Sequence, residues 1–104
     1  MVKMEASMRM GVPDEMMRII LMVSEKYGVS QQLIMSRRRD ADIAWARSMA
    51  MYLIKRKTQF TLNQIGRAFG RDHTNVIKVM QTVNDICSID KRVKSEVEGL
   101  LNAF

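Results

Sequence analysis

Two short runs of polar side chains stand out along the chain as groups with chemical potential. They are Arg37, Arg38 and Arg39, and Asp72, His73, Thr74 and Asn75. His73 is the only histidine, and neither Asp72 nor any nearby Cys or Glu completes a metal shell or a catalytic triad with it. The sequence also lacks the Gly-rich loop, ending in Lys-Ser or Lys-Thr, that binds nucleotide phosphates. We therefore expect no enzyme, no cofactor and no metal site. The one cysteine, Cys87, falls at an apolar helical spacing and is expected to be a small buried hydrophobe.

The second run carries groups that match the edges of DNA bases. A carboxylate such as Asp72 accepts a hydrogen bond from cytosine, Thr74 can touch a thymine methyl group, and a nitrogen of His73 can bond a base edge. The structural alternative is that Asp72 caps a helix and His73 packs at the start of that helix.

The first run consists of three consecutive arginines, a pattern that is most often a solvated surface loop. In a narrow, AT-rich minor groove, however, an arginine meets concentrated negative potential.

The charge of the chain points to a polyanionic partner. Seventeen Lys and Arg residues against eleven Asp and Glu give a formal charge of +6, which favours a nucleic acid or an anionic membrane surface. The longest apolar run, Ile19 to Val23, is far shorter than the roughly 20 residues of a membrane span, and the start shows no cleavage pattern. We expect no membrane partner and a cytoplasmic location. A length of 104 residues with 47% apolar residues fits one folded domain.

The polar run at Asp72 lies where two helices are predicted to meet. Thr61 and Gln64 have the capping-box spacing, so a helix is expected to open directly after Thr61. Small Gly66 allows the two helices to approach closely, and Gly70 supplies the turn. In the second helix we expect Val76, Val79, Met80 and Val83 to face inward, and Thr74, Lys78, Gln81 and Asp85 to face outward. The spacing fits a helix-turn-helix whose second helix enters the major groove, although any two-helix corner of a bundle has the same pattern.

Four further helices are predicted around this pair. They run from Pro13 to Gly28, from Ser30 to Met35, from about Asp42 to Lys57, and from Val93 to Leu101. The arginine run falls in a basic loop, residues 36–40. The long helix after that loop is expected to carry Arg47, Lys55 and Arg56 away from one apolar face, which consists of Ile43, Ala46, Ala50, Leu53 and Ile54 with Met49 beside them. Residues 1–12 are expected to be a flexible N-terminal tail, and residues 13–104 the domain. The fold class is therefore all-α, a compact bundle of about six helices containing a helix-turn-helix.

One segment closely resembles a family signature. Phe69-Gly70-Arg71-Asp72-His73-Thr74-Asn75-Val76 is similar to the motif of the C-terminal DNA-binding domain of the bacterial replication initiator DnaA. Supporting marks are Ser36-Arg37-Arg38-Arg39, Ala44-Trp45-Ala46-Arg47 and Leu62-Asn63-Gln64-Ile65-Gly66. The resemblance extends from about Ile19 to Leu101, which is most of the chain.

This resemblance implies binding of double-stranded DNA at a short AT-rich box, in replication initiation or its regulation. It places Arg39 in the minor groove and the cluster of Asp72, His73 and Thr74 on bases of the major groove. Adding the other basic and polar residues of the loop and the helices, the expected DNA-binding set is Arg37, Arg38, Arg39, Arg47, Lys55, Arg71, Asp72, His73, Thr74, Asn75 and Lys78. Within this set, Arg47, Lys55 and Lys78 are expected to contact phosphates.

The chain also departs from the family pattern. A single glycine, Gly70, precedes Arg71 where the family has two, which shortens the turn by one residue. Ser48 stands where the family often has glutamine, and Asn75 where it has threonine. A competing function is a protein-interaction module that binds a replication or regulatory partner. Its adaptable surface would consist of Met4, Met8, Met10, Met16, Met17 and Met22, although for Met16 a core position is favoured.

Overall fold

The computed structural model describes residues 12–103, which contain six helices and no strand. In chain order the helices are α1 (Asp14–Tyr27), α2 (Gln31–Ile34), α3 (Ala41–Lys57), α4 (Leu62–Ala68), α5 (His73–Ile89) and α6 (Lys91–Leu101). The predicted all-α bundle of about six helices is confirmed. The predicted tail, residues 1–12, lies outside the described residues except for Val12, which is half-buried against the core.

Helix α3 is the centre of the bundle, because it contacts each of the other five helices. Its buried residues are Ile43, Ala46, Arg47, Met49, Ala50, Met51, Tyr52, Leu53 and Ile54. The residues predicted to form the apolar face of this helix are all buried, but burial extends beyond that face. With neighbours on every side, α3 is buried around most of its circumference, and Arg47 is buried with it.

The helix ends follow the capping chemistry of the sequence. Gly28 ends α1 in the left-handed conformation, at φ 66°, and its amide donates to the Ser24 carbonyl at 2.9 Å. The capping box at the start of α4 is complete. The Thr61 hydroxyl accepts from the Gln64 amide at 3.1 Å, and Oε1 of Gln64 accepts from the Thr61 amide at 2.8 Å. These predicted helix ends are therefore confirmed.

Helix α6 closes the bundle by packing on α3 and α5. Val97 and Leu100 are buried, and the hydroxyl of Tyr27 in α1 donates a hydrogen bond to the carboxylate of Glu96. Burial raises the pKa of Tyr27 well above its ordinary value, and the hydrogen bond to Glu96 raises it further.

Two other predictions concern Cys87 and the membrane. Cys87 is only half-buried against the core, so its predicted burial is incomplete. None of the helices in residues 12–103 combines the length and the apolar composition that a bilayer span requires.

Candidate nucleic-acid interface

Helices α4 and α5 meet at a tight turn that depends on two glycines. A Cβ atom built on Gly66 would lie 2.5 Å from the carbonyl oxygen of Arg71, and the Arg71 amide donates to the Gly66 carbonyl at 2.7 Å. Gly70 occupies the left-handed region at φ 70°, which a side chain would strain. The turn therefore brings the two backbones to a distance that only glycine permits at position 66.

Asp72 is the N-cap of α5. Its backbone is extended, and its Oδ1 accepts a hydrogen bond from the Asn75 amide at 3.1 Å. The structural role that the sequence analysis weighed for this residue is thus present. Among the hydrogen bonds of residues 12–103, those of the Asp72 side chain involve only Oδ1. A base contact through the other oxygen stays a prediction.

The face of α5 that points away from the core is polar, as predicted. Its exposed side chains are His73, Thr74, Asn75, Lys78, Gln81 and Asp85. On the opposite face Val76 and Val83 are buried, while Val79 and Met80 are half-buried. The first turn of α5 therefore offers uncommitted donors and acceptors to solvent.

The basic loop, residues 36–40 between α2 and α3, lies against the turn of the helix-turn-helix. Arg37 reaches the turn by donating from Nη2 to the Gly70 carbonyl at 3.3 Å. In the other direction, Arg71 donates from Nη1 to the Phe69 carbonyl at 2.7 Å and from Nη2 to the Ser36 carbonyl at 3.3 Å. Two arginines predicted as DNA contacts thus hold the loop and the turn together. Sequence reasoning missed this arrangement, because every residue has a carbonyl that could serve as the acceptor.

The three arginines of the loop have different surroundings. Arg38 makes a bidentate ion pair with Asp40, at 2.9 Å from Nε to Oδ1 and 3.0 Å from Nη2 to Oδ2. This pairing raises the pKa of Arg38 and lowers the pKa of Asp40, in both cases chiefly through the hydrogen bond. Arg39 is exposed, and its side chain makes no hydrogen bond to any residue in the range 12–103. Of the three, Arg39 is the one whose guanidinium is free to meet a ligand.

A cleft of about 470 Å³ opens between the basic loop, α3 and α5. Its polar lining consists of Arg37, Arg39, Arg47, Ser48, Arg71 and Asn75. Within the described residues the one ion pair joins Arg38 to Asp40, and neither of these lines the cleft. We refer to this concavity as the arginine cleft. It concentrates four guanidinium groups with no carboxylate among its lining residues.

Arg47 forms the floor of the arginine cleft and is only 7% exposed. Its Nε donates to the Ile34 carbonyl at 2.8 Å and its Nη2 to the Leu33 carbonyl at 3.3 Å, which satisfies acceptors at the end of α2. Burial lowers the pKa of Arg47, and the charge of Arg71 lowers it further. Burial likewise lowers the pKa of Arg71, with a second contribution from Arg37. These guanidinium groups are therefore close enough to repel one another.

The remaining predicted contacts lie outside the arginine cleft. Lys55 is half-buried in the last turn of α3, and Lys78 is exposed on α5. Ser48 lines the cleft beside Arg47, although the sequence analysis identified it only as a departure from the family pattern. Its signal was its position, one residue after Arg47 and one helical turn after Ala44, which also lines the cleft.

Two further points concern possible metal ligands and the methionines of the alternative partner surface, of which Met22 is half-buried against the core. No group of three or more His, Cys, Asp or Glu side chains in the range 12–103 could hold a metal. Met16 and Met17 are buried in the core, which confirms the position favoured for Met16. Met4, Met8 and Met10 lie outside the described residues.

Comparison with known proteins gives a consistent result. The family model described as bacterial dnaA protein helix-turn-helix matches residues 16–83. The chromosomal replication initiator protein DnaA of Mycoplasma capricolum is 44% identical over 81 residues, covering 77% of this chain and 18% of that protein. The protein of the same name from Brucella abortus is 40% identical over 88 residues, covering 84% of this chain and 17% of that protein. A third, from Rhodopseudomonas palustris, is 40% identical over 79 residues.

These relatives are much longer proteins, and the chain spans less than a fifth of the length of each. The region of similarity includes α3, the turn at Gly70 and the first turn of α5. The fold, the tight turn after Gly66 and the family match agree with one another. The chain therefore belongs to the bacterial dnaA protein helix-turn-helix family.

Proposed function

We propose that this chain binds double-stranded DNA in a sequence-specific manner, at sites like those of the bacterial replication initiator. In this proposal α5 enters the major groove and the basic loop enters the adjacent minor groove. The observation that carries it is the continuity of two surfaces. Asn75 belongs both to the exposed first turn of α5 and to the lining of the arginine cleft. A ligand lying along α5 would therefore also meet the guanidinium groups.

The electrostatics of the arginine cleft support a polyanion as that ligand. Guanidinium groups that share a cleft without a carboxylate raise the free energy of the unbound protein, and a phosphate backbone would offset that repulsion. The chain as a whole carries +6, so long-range attraction acts in the same direction. The relatives are chromosomal replication initiator proteins, which supports a role in replication initiation or its regulation.

The proposal divides the candidate residues by task. Asp72, His73 and Thr74 contact base edges in the major groove, and Arg39 reads the minor groove. The cationic side chains around them contact phosphates, which adds affinity without sequence information. These phosphate contacts are Arg37, Arg38, Arg47, Lys55 and Lys78, with Asn75 as a polar contact.

The test is a fluorescence anisotropy titration with a duplex that carries the initiator box, set against a scrambled duplex of equal length. If about five or six phosphates are neutralised, log affinity should fall with log salt at a slope near −5. The box duplex should bind more tightly than the scrambled duplex at every salt concentration. A slope near zero, or equal affinity for single strands, contradicts the proposal.

Two variants separate the tasks in the same assay. Lys55→Ala should weaken binding to both duplexes about equally and reduce the salt slope by roughly one. His73→Ala should lose roughly 1–3 kcal/mol on the box duplex while leaving the scrambled duplex almost unaffected. Lys94→Ala on α6 is a charge-matched control outside the candidate set. A uniform loss for His73→Ala with unchanged melting would remove its base-reading role.

A further inference from the structure

The basic loop and the turn of the helix-turn-helix are joined by hydrogen bonds in both directions. Nη2 of Arg71 donates to the Ser36 carbonyl across a separation of 35 residues, while Nη1 holds the Phe69 carbonyl within the turn. Arg37 donates back from the loop to the Gly70 carbonyl. All three acceptors are backbone oxygens. The bonds therefore fix the course of the main chain in two segments that are far apart in sequence.

Each end of this crosslink lies three residues along the chain before a side chain that is proposed to contact DNA. Arg39 lies three residues after Ser36, and Thr74 lies three residues after Arg71. Arg71 also directly precedes Asp72, the N-cap that fixes where α5 begins. The loop is irregular, and the helix before it is only four residues long. The crosslink thus joins the loop directly to the turn that precedes α5.

Arg71 itself is poorly placed to read a base. It is half-buried, and two of its guanidinium nitrogens are committed to carbonyl groups of the protein. Its pKa is lowered by burial and by the charge of Arg37, so its placement is unfavourable apart from the bonds that it makes. A side chain held in this way helps to position the chain segments that it joins.

We propose that Arg71 is a positioning residue that locks the basic loop to the recognition helix, so that Arg39 and His73 engage the two grooves as one preformed unit. The proposal rests on the proposed DNA-binding function. Holding two contact groups in their bound arrangement before binding reduces the ordering that binding requires. The lock therefore raises affinity for the duplex in which both groups find their partners, and adds little on any other sequence.

The decisive variant is Arg71→Lys, which keeps the charge but loses the fork that spans two carbonyl groups. We expect affinity for the scrambled duplex to stay near the wild-type value. The ratio of box to scrambled affinity should fall about tenfold, the discrimination of one base pair. In a panel of singly substituted duplexes the loss should appear together at the base pairs assigned by Arg39→Ala and by His73→Ala. If Arg71 contacted a base directly, Arg71→Lys would instead lose discrimination at one base pair.

Three further measurements separate positioning from stability. Arg56→Lys is the matched control, because it removes a guanidinium bond to the Tyr52 hydroxyl at 2.6 Å, remote from the loop, and should keep the wild-type ratio. NMR order parameters of residues 37–39 in the free protein should fall in Arg71→Lys and not in Arg56→Lys. Arg37→Lys, which loses the single bond to Gly70, is the milder second variant and should lower the ratio in the same direction. Thermal melting identifies any variant that fails to fold.

Each result decides the matter in one direction. A wild-type ratio in folded Arg71→Lys, or unchanged order parameters in the loop, overturns the proposal while leaving the proposed function standing. Absence of any preference in the wild-type protein overturns both. A double variant supplies the strongest support, since the effect of Arg39→Ala on discrimination should shrink in the Arg71→Lys background.

Discussion

The carboxylate of Asp72 caps α5 and, in the proposed function, also accepts a hydrogen bond from a base; one substitution can separate the two roles. Oδ1 caps α5, and an asparagine oxygen can do the same, so Asp72→Asn should unfold at the wild-type urea concentration. Its new amide group would present donors where the proposal requires an acceptor, so discrimination between duplexes should fall. Asp72→Ala should lose both the cap, at about 1 kcal/mol of unfolding free energy, and the base contact.

Urea unfolding and anisotropy titrations on the same samples check this prediction. Full discrimination by Asp72→Asn would leave Asp72 with the capping role alone. The sequence predicts both a cap and a base contact, because aspartate at a helix start is suited to either, and the structure shows the cap. The sequence could not rank them, since a preference between them depends on what lies opposite the second oxygen.

At Arg71 the sequence was less informative. The family motif identifies an arginine there, but its partners, the carbonyl groups of Phe69 and Ser36, carry no side-chain signature. The same holds for Arg47, whose acceptors belong to the backbone of α2. Contacts between side chains and backbone across long separations depend on the three-dimensional path of the chain, which no local spacing encodes.

Alanine substitutions at two helical glycines, Gly66 and Gly99, are expected to change the stability of the protein in opposite directions. Alanine favours a helix over glycine by about 1 kcal/mol, so Gly99→Ala, with nothing within 4 Å of its new methyl group, should stabilise the protein by roughly 0.5–1 kcal/mol. At Gly66 the methyl group would meet the backbone oxygen of Arg71 at 2.5 Å. Backbone atoms cannot yield as a flexible side chain does, so Gly66→Ala should lose about 1–3 kcal/mol.

Chemical denaturation of the two variants measures both effects. Equal gains at positions 66 and 99 would show that the close approach of the helices is not obligatory. Gly66→Ala should also shift the NMR signals of the basic loop, because Arg71 would move with the displaced backbone. No such shift is expected for Gly99→Ala.

At the scale of elements, helix ends were more predictable than burial. The capping box at Thr61 and the left-handed Gly28 are local chemistry, so the positions where α4 begins and α1 ends followed from the residues themselves. The burial of α3 did not, because a periodic pattern reports one apolar face and cannot count the helices that surround it. Met51 and Tyr52 are buried outside the predicted face for this reason.

The connection between the first and the last helix makes the stability of the whole molecule depend on pH. Tyr27 donates its hydroxyl proton to Glu96, and burial together with this bond raises its pKa above the value of about 10 found in an unfolded chain. The stabilisation is complete below that unfolded pKa. It is lost as the pH rises through the folded pKa, because the unfolded chain releases the proton first.

The difference in unfolding free energy between the wild type and Tyr27→Phe should therefore shrink between pH 9 and pH 11. Urea titrations at half-unit steps provide the measurement, with near-ultraviolet absorbance to follow the phenolate. Because the two proteins differ only at position 27, the comparison isolates Tyr27. A constant difference over this range would mean that neither burial nor the hydrogen bond to Glu96 raises the pKa of Tyr27 in the folded protein.

Net charge is the other property of the whole molecule. The sequence gives its total but not the surroundings of each charged group. A balance of +6 predicts a class of partner, yet the effect of each cation depends on its neighbours. Arg38 is paired with Asp40, Arg47 is buried, and Arg39 is exposed. The distribution of charge required the fold, because the arginines that gather in the arginine cleft come from the loop, from α3 and from the turn before α5.

The central position of α3 has a consequence for amide hydrogen exchange. Since the helix is enclosed by five others, the amides of the segment from Met49 to Ile54 should exchange only when the whole molecule unfolds. A ligand that binds the folded state alone adds RT ln(1 + [L]/Kd) to that opening free energy. DNA should therefore slow exchange throughout this buried segment of α3 in proportion to its affinity. The slowest amides of the core then provide a label-free binding isotherm, read from buried backbone groups.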